Sequence, residues 1–336
     1  MFVRTENPSL RGAKRSKVGR FFAALLLALG VAAMATNANA TNKINVGKAV
    51  QDVWLYTPLD VGIETGIFAK QGLDIDVSIL PGGAKLQQAL LAGSIDVGLG
   101  GSQAMALTVK GSPTITIAAL AGPPAGFSIV VVPDSPIKTI ADLKGKSIGF
   151  ASNGSILDWL QQRLSIQQGW GQHGMNGVAT GGSEANTAAL VSRQIDAGIQ
   201  TTETGFTLEA KHQARILSSM EPFAPNLITQ VIFARTPYLS EHPDRVEHFL
   251  KAWFGAVAYM VANKKESSAI SARALHMDPA VVERAYDVEM SYLSKDGTFD
   301  PKGVDVLRQS FVELGILEKP PTDDQILTTR FVPVKP

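Results

Sequence analysis

Hydrophobic and polar positions change period along this chain, and the changes mark out its elements. Residues Lys43 to Val50 alternate between polar and apolar side chains, the period of a strand with one face in a core. A helical stretch follows and ends near Gly66 or Gly72. Alternation returns over Leu73 to Ile79, and Pro81-Gly82-Gly83 breaks it. Helix-forming residues from Lys85 to Ala92 then lead into a short strand, Ile95 to Leu99. Strands alternating with helices predict crossover units and a largely parallel sheet.

The same stretch returns one hundred residues later. Gly82, Ala89, Leu90, Ile95, Asp96 and Gly98 recur without a gap as Gly182, Ala189, Leu190, Ile195, Asp196 and Gly198. Each copy reads glycine-rich turn, helix, Ile-Asp-x-Gly strand and polar loop, the loops being Gly101-Ser102-Gln103 and Thr201-Thr202-Glu203. The echo predicts two α/β lobes of similar build. Between the copies lie a β-branched strand, Phe127 to Val132, a turn at Pro133 to Pro136, and a turn-plus-strand from Asp142 to Phe150. Leu227 to Ala234 is again β-rich, and from Pro237 to about Leu317 the pattern is helical. Val246, Phe249, Leu250, Trp253, Phe254, Val257 and Val261 form one apolar stripe at helical spacing, and Val304, Leu307, Phe311 and Leu314 another. Both are expected to face the core.

Composition changes the picture mainly at the start. The 336 residues are 45% hydrophobic, enough for one large or two ordinary domains, and 31 Lys+Arg balance 30 Asp+Glu. That balance offers no basic face for nucleic acid. Without cysteine there is no disulfide, thiolate metal site or cysteine nucleophile. Six of the bases crowd into residues 1–40, ahead of an uncharged run from Phe21 to Ala35 and the small-x-small triplet Ala38-Asn39-Ala40. This is the order of a secretory signal peptide, with an uncleaved anchor as the alternative. The run is short for a hydrocarbon layer of roughly 30 Å. The remainder is expected to be a mildly acidic, exported protein.

Catalytic and metal motifs fail. Gly145-Lys146-Ser147 lacks the glycine of a phosphate loop, because Ile140 stands there, and Gly98-x-Gly100 lacks a third glycine at Gln103. No nucleophile elbow surrounds Ser102 or Ser152, and the five histidines have no metal spacing, so no catalytic residue, metal or cofactor is expected. What remains is a set of polar loops after strands: Gln51-Asp52-Val53-Trp54, Gly100-Gly101-Ser102, Ser152-Asn153-Gly154-Ser155 and Thr201-Thr202-Glu203. Ligands of open α/β sheets bind outside the carboxyl ends of the strands, where helix starts present free N–H groups. The same Ser and Asn residues are also good helix caps. Trp54 and Tyr56 are pocket-wall aromatics or core, and Glu203 lies outside such a site or meets an amino group on the ligand.

Here the chain resembles a known family. Pro58-Leu59-Asp60-Val61-Gly62-Ile63-Glu64-Thr65-Gly66-Ile67-Phe68-Ala69-Lys70-Gln71-Gly72-Leu73-Asp74-Ile75 is similar to the opening of the periplasmic solute-binding proteins for nitrate, taurine and aliphatic sulfonates. Gly93-Ser94-Ile95-Asp96-Val97-Gly98 and the run from Ile137 to Lys146 resemble two further signatures of that family. The resemblance implies an α/β, two-lobed type 2 periplasmic binding fold with two crossing hinge strands and a ligand cleft. Lobe one would be 41–127 plus 234–336 and lobe two 128–233, with hinge strands at 127–132 and 228–234. Carried over as binding positions are Gln51, Trp54, Gly101, Ser102, Ser152, Asn153, Ser155, Thr201 and Thr202, with Gln230 beside the return crossing. The implied function is a monomeric periplasmic component of an ABC importer that delivers solute to a permease with its ATPase. The expected ligand is a small sulfonate-like organic anion; a pyrimidine or aromatic acid is the alternative, as is a sensor reporting to a membrane receptor. A thiamin-pyrimidine synthase-like enzyme shares the fold but would be expected in the cytoplasm.

Overall fold

The computed structural model describes residues 42–335, so the leader read at 1–40 lies outside the described residues. In chain order the strands are β1 (Asn42–Lys48), β2 (Leu73–Ile79), β3 (Val97–Gly101), β4 (Thr114–Ala121), β5 (Phe127–Val131), β6 (Ser147–Phe150), β7 (Asn176–Ala179), β8 (Ala197–Thr201), β9 (Arg215–Ser219) and β10 (Gln230–Arg235). The helices of the first two thirds are α1 (Thr57–Glu64), α2 (Ile67–Lys70), α3 (Gly83–Ala92), α4 (Ala106–Val109), α5 (Ile156–Gln167), α6 (Ser183–Val191) and α7 (Thr202–Ala210). The last third is helical: α8 (Thr236–Glu241), α9 (Pro243–Ala262), α10 (Lys264–Leu275), α11 (Pro279–Glu289) and α12 (Pro301–Glu313).

The strands make two five-stranded sheets of one plan, β2-β1-β3-β10-β4 and β7-β6-β8-β5-β9. In each, three strands run parallel, and the fourth in order is antiparallel and arrives from the other half of the chain. The hundred-residue echo is the middle of this plan, α3-β3 in one sheet and α6-β8 in the other. Its residues have a physical reason. Asp96 Oδ2 accepts the Asn45 N–H at 3.1 Å, and Asp196 Oδ2 accepts the Ser147 N–H at 2.8 Å, so each Asp pins the neighbouring parallel strand, β1 in one sheet and β6 in the other. Gly98 and Gly198 let the helix close on the strand: a Cβ would sit 3.1 Å from Leu90 in the first copy and 3.0 Å from Asn186 Oδ1 in the second.

Three features differ from the pattern reading. The chain returns to the first sheet earlier than the lobe boundary at 233 implies, and the strands at the expected hinge positions are full sheet members: β5 pairs with β8 and β9 while β10 pairs with β3 and β4. The chain passes between sheets in the segments 122–126 and 220–229, and residues 230–233 join the first sheet rather than the second. Strand β4 shows no alternation, since seven of its eight residues are buried, and β7 is an exposed edge. Val261 falls at the end of α9 and is 58% exposed, while the other six members of its stripe are buried. Phe249 in that stripe packs on Phe68 at 5.5 Å, fastening α9 to the first sheet's helices.

Candidate functional site

The two polar loops of the echo sit where the chain passes between sheets. Ser102 N–H donates to the Thr229 carbonyl at 3.0 Å, and Thr202 N–H donates to the Gly126 carbonyl at 2.9 Å. Each extends a ladder in which Gly101 stands opposite Gln230 and Thr201 opposite Phe127. These two amides are therefore spent on the fold. Their hydroxyls are occupied too: Ser102 Oγ donates to Gln103 Oε1 at 3.1 Å, and Thr202 Oγ1 donates to the Ala125 carbonyl at 2.8 Å. Ser102 makes no cap, and the single 3-10 turn and four-residue α4 after it are too short to build a macrodipole.

Beside these loops lies a buried polar cluster. Glu203, in the first turn of α7, reaches out of its own half, and its Oε1 accepts the Trp54 N–H. Trp54 and Tyr56 are both buried, and the Tyr56 hydroxyl donates to Gln230 Oε1 at 2.7 Å. The Trp54 ring meets Tyr286 of α11 edge-on at 5.7 Å. Three residues on, Glu289 ends that helix, fully buried, with Oε2 at 3.0 Å from the Cβ position of Gly126. Glu203 Oε2, both Glu289 oxygens and Trp54 Nε1 have no hydrogen-bond partner.

The electrostatics follow from burial. Loss of water pushes the Glu203 carboxyl up to about 7; its hydrogen bonds oppose this, and Asp52 adds to it. Burial and the charge of Glu203 push Glu289 well above the usual carboxylate range. Burial, with Asp52, also raises Tyr56. Among the described residues no cation acts on either Glu. A second bridge to α11 lies nearby: Arg284 stacks 3.8 Å from the Phe206 ring centroid and pairs with Glu209 at 2.8 Å.

Trp54, Gly101, Ser102, Thr201, Thr202 and Gln230 thus gather around the crossings. Four other expected positions have no hydrogen bond to that cluster. Gln51 donates to the Ala274 carbonyl at 2.6 Å, tying its loop to α10. Ser155 caps α5 by accepting the Asp158 N–H at 3.3 Å, and Ser152 and Asn153 are exposed. Thr201 also caps, accepting the Thr204 N–H at 3.2 Å. Sequence reasoning missed Glu289. Its one signal is position: with Val281, Val282, Ala285 and Tyr286 it continues the buried face of α11, where an acid is out of place. No group of three His, Asp or Glu side chains converges for a metal among the described residues.

Comparison with known proteins agrees with this architecture. The family model described as NMT1/THI5 like matches residues 55–267. A provisionally named binding protein of Brucella abortus is 29% identical over 284 residues, covering 81% of this chain and 86% of its own. The formylaminopyrimidine-binding protein of Halalkalibacterium halodurans is 24% identical over 247 residues, covering 71% and 72%. The periplasmic aliphatic sulphonate binding protein SsuA from Escherichia coli superposes with a TM-score of 0.73 at 20% identity, over 85% of this chain and 92% of that one. The fold is that of periplasmic binding proteins.

Proposed function

We infer the function from one premise: the chain belongs to the NMT1/THI5-like family. We propose that it is the extracytoplasmic solute-binding component of an ABC importer, a monomer that holds a small organic solute between its two sheets and presents it to a permease with its ATPase. In this reading the leader at 1–40 exports the chain and is removed. The sheets belong to two lobes that close over the solute by bending at 122–126 and 220–229. A ligand that touches both lobes only when they are shut stabilises the shut form by that difference in affinity.

The carrying observation is the hydrogen bond from Trp54 N–H to Glu203, which joins a loop after β1 to a helix after β8 beside both crossings. Binding is the reading that the aromatic rings, amide and carboxyls of the cluster support. The sulfonate-like anion remains the ligand that the E. coli likeness suggests. The pyrimidine or aromatic alternative has more support from this chain: the buried rings of Trp54, Tyr56 and Tyr286 lie together, and Glu203 bonds the backbone of the first.

The test is native mass spectrometry of the purified chain, followed by melting with sulfonates, amino-sulfonates, carboxylates and pyrimidines. A bound solute raises stability by about 2.7 kcal/mol when present at one hundred times its Kd. No copurified solute and no melting shift across the panel would remove the proposal. A permease gene and an ATPase gene beside this one distinguish import from sensing.

A further inference from the structure

Farther along α7 the second unit reaches the helical last third at one more place. Phe206 stands one turn beyond Glu203 and is 5% exposed. Among residues 127–229 it is the sole buried member of the core cluster that holds Trp54, Val281, Val282, Ala285 and Tyr286. A helix of the second sheet thus seats one ring in the apolar interior of the other half. Arg284 of α11 lies over that ring, its guanidinium carbon 3.8 Å from the centroid. Arg284 Nη1 donates to Glu209 Oε2 at 2.8 Å, and Glu209 Oε1 accepts the Ile216 N–H of β9 at 2.9 Å. The carboxylate is therefore held by its own half before the arginine meets it, so little further side-chain freedom is lost in the pairing. The echo shows that the fold does not call for this arrangement. One hundred residues earlier, Ala106 and Val109 stand in place of Phe206 and Glu209, on a helix of four residues rather than nine.

We propose that Phe206, Glu209 and Arg284 form a clasp that holds the two halves together before any solute is bound. This rests on the reading of two closing lobes given above, and adds that closure has a driving force of its own. A contact made only when α7 meets α11 shifts the equilibrium toward the shut form by its own free energy. Apparent solute affinity then rises with the fraction of chains already shut, although the clasp touches no solute. Its construction suits a grip that must also release. The buried ring and the guanidinium stacked on it favour the shut form. The ion pair is open to water, with the Arg284 side chain 54% exposed and that of Glu209 26%, so on its own it holds weakly and salt screens it. A notch of about 320 Å³ beside the three residues, walled by Ala210, Ala280 and Val281, leaves the arginine free to swing away.

The chain has no cysteine, so Lys70→Cys and Lys144→Cys place one spin label on each half, both at exposed positions. Distances between the labels, measured by electron spin resonance on the dialysed whole chain, read the shut-to-open ratio without any solute. Arg284→Gln should lower that ratio about fivefold, and Phe206→Leu, which keeps the buried site apolar but removes the ring face, by about the same factor. The double variant should lower it at least tenfold. Arg284→Lys keeps the charge and should restore part of the loss. In 1 M salt the labelled parent should open and Arg284→Gln should change little. Melting of each variant shows that it is folded. The clasp is overturned if the double variant keeps the parent's distances, whether or not its melting temperature falls, since a fall alone marks a purely structural contact. The importer reading survives that outcome. Its own failure looks different: nothing copurifies and no compound of the panel shifts melting, whatever the labels report.

Discussion

The two sheets share a strand order, a pinning aspartate and a helix held close over glycine, yet they part at one pair of matching positions. Gln103 follows β3 and is neutral, buried and fully bonded; Glu203 follows β8 and is ionisable, buried and left with a free oxygen. Residues 102 and 202 stay alike, each giving its N–H to a crossing segment. Duplicated positions that serve the backbone have kept one solution. The position next to them, whose side chain bonds other parts of the chain, has not. Chemistry here is carried by the departure from symmetry.

The largest expected effects come from exchanging those two residues. Gln103→Glu puts a carboxylate where a donor to Ser310 is needed and no cation is at hand, and should cost about 3 kcal/mol at pH 8 in urea unfolding. Glu203→Gln should do the opposite. Its folded pKa of about 7 lies above the unfolded value near 4.3, so the stability of the protonated form is complete below that lower value and is lost as pH rises through 7. The parent should therefore lose about 3 kcal/mol between pH 5 and 8 through this group, and the variant should not. Equal pH profiles for the two proteins would break the contrast.

A smaller effect separates the pinning aspartates. Asp96 is buried, accepts both the Asn45 N–H and side-chain amide, and pairs with Arg235 at 3.4 Å, so Asp96→Ala should cost about 2 kcal/mol. Asp196 is exposed and bonds only Ser147, so Asp196→Ala should cost about 1 kcal/mol by the same measurement. Equal losses would mean that burial does not distinguish the two copies. The smallest effect is at the caps: Ser155→Ala and Thr201→Ala should each lower stability by about 1 kcal/mol.

Much of this molecule is readable before folding. Alternation located β1 and β2, the echo tied β3 to β8 and announced two lobes of similar build, and the Ile-Asp-x-Gly motif already held the residues that pin and close each unit. These signals are local, because a strand's period and a glycine under a helix depend on neighbours a few positions away. What the tertiary structure decided is the meeting of residues that no local pattern relates. It seated β5 and β10 in the two sheets, spent the amides of Ser102 and Thr202 on ladder ends, and gave Ser155 a cap hydrogen bond. It also set Glu289 against Gly126 and Glu203, across 163 and 86 positions of chain. Burial and the absence of a counter-charge are properties of the assembled interior. A glutamate's letter in a sequence reads the same whether water or another glutamate will face it.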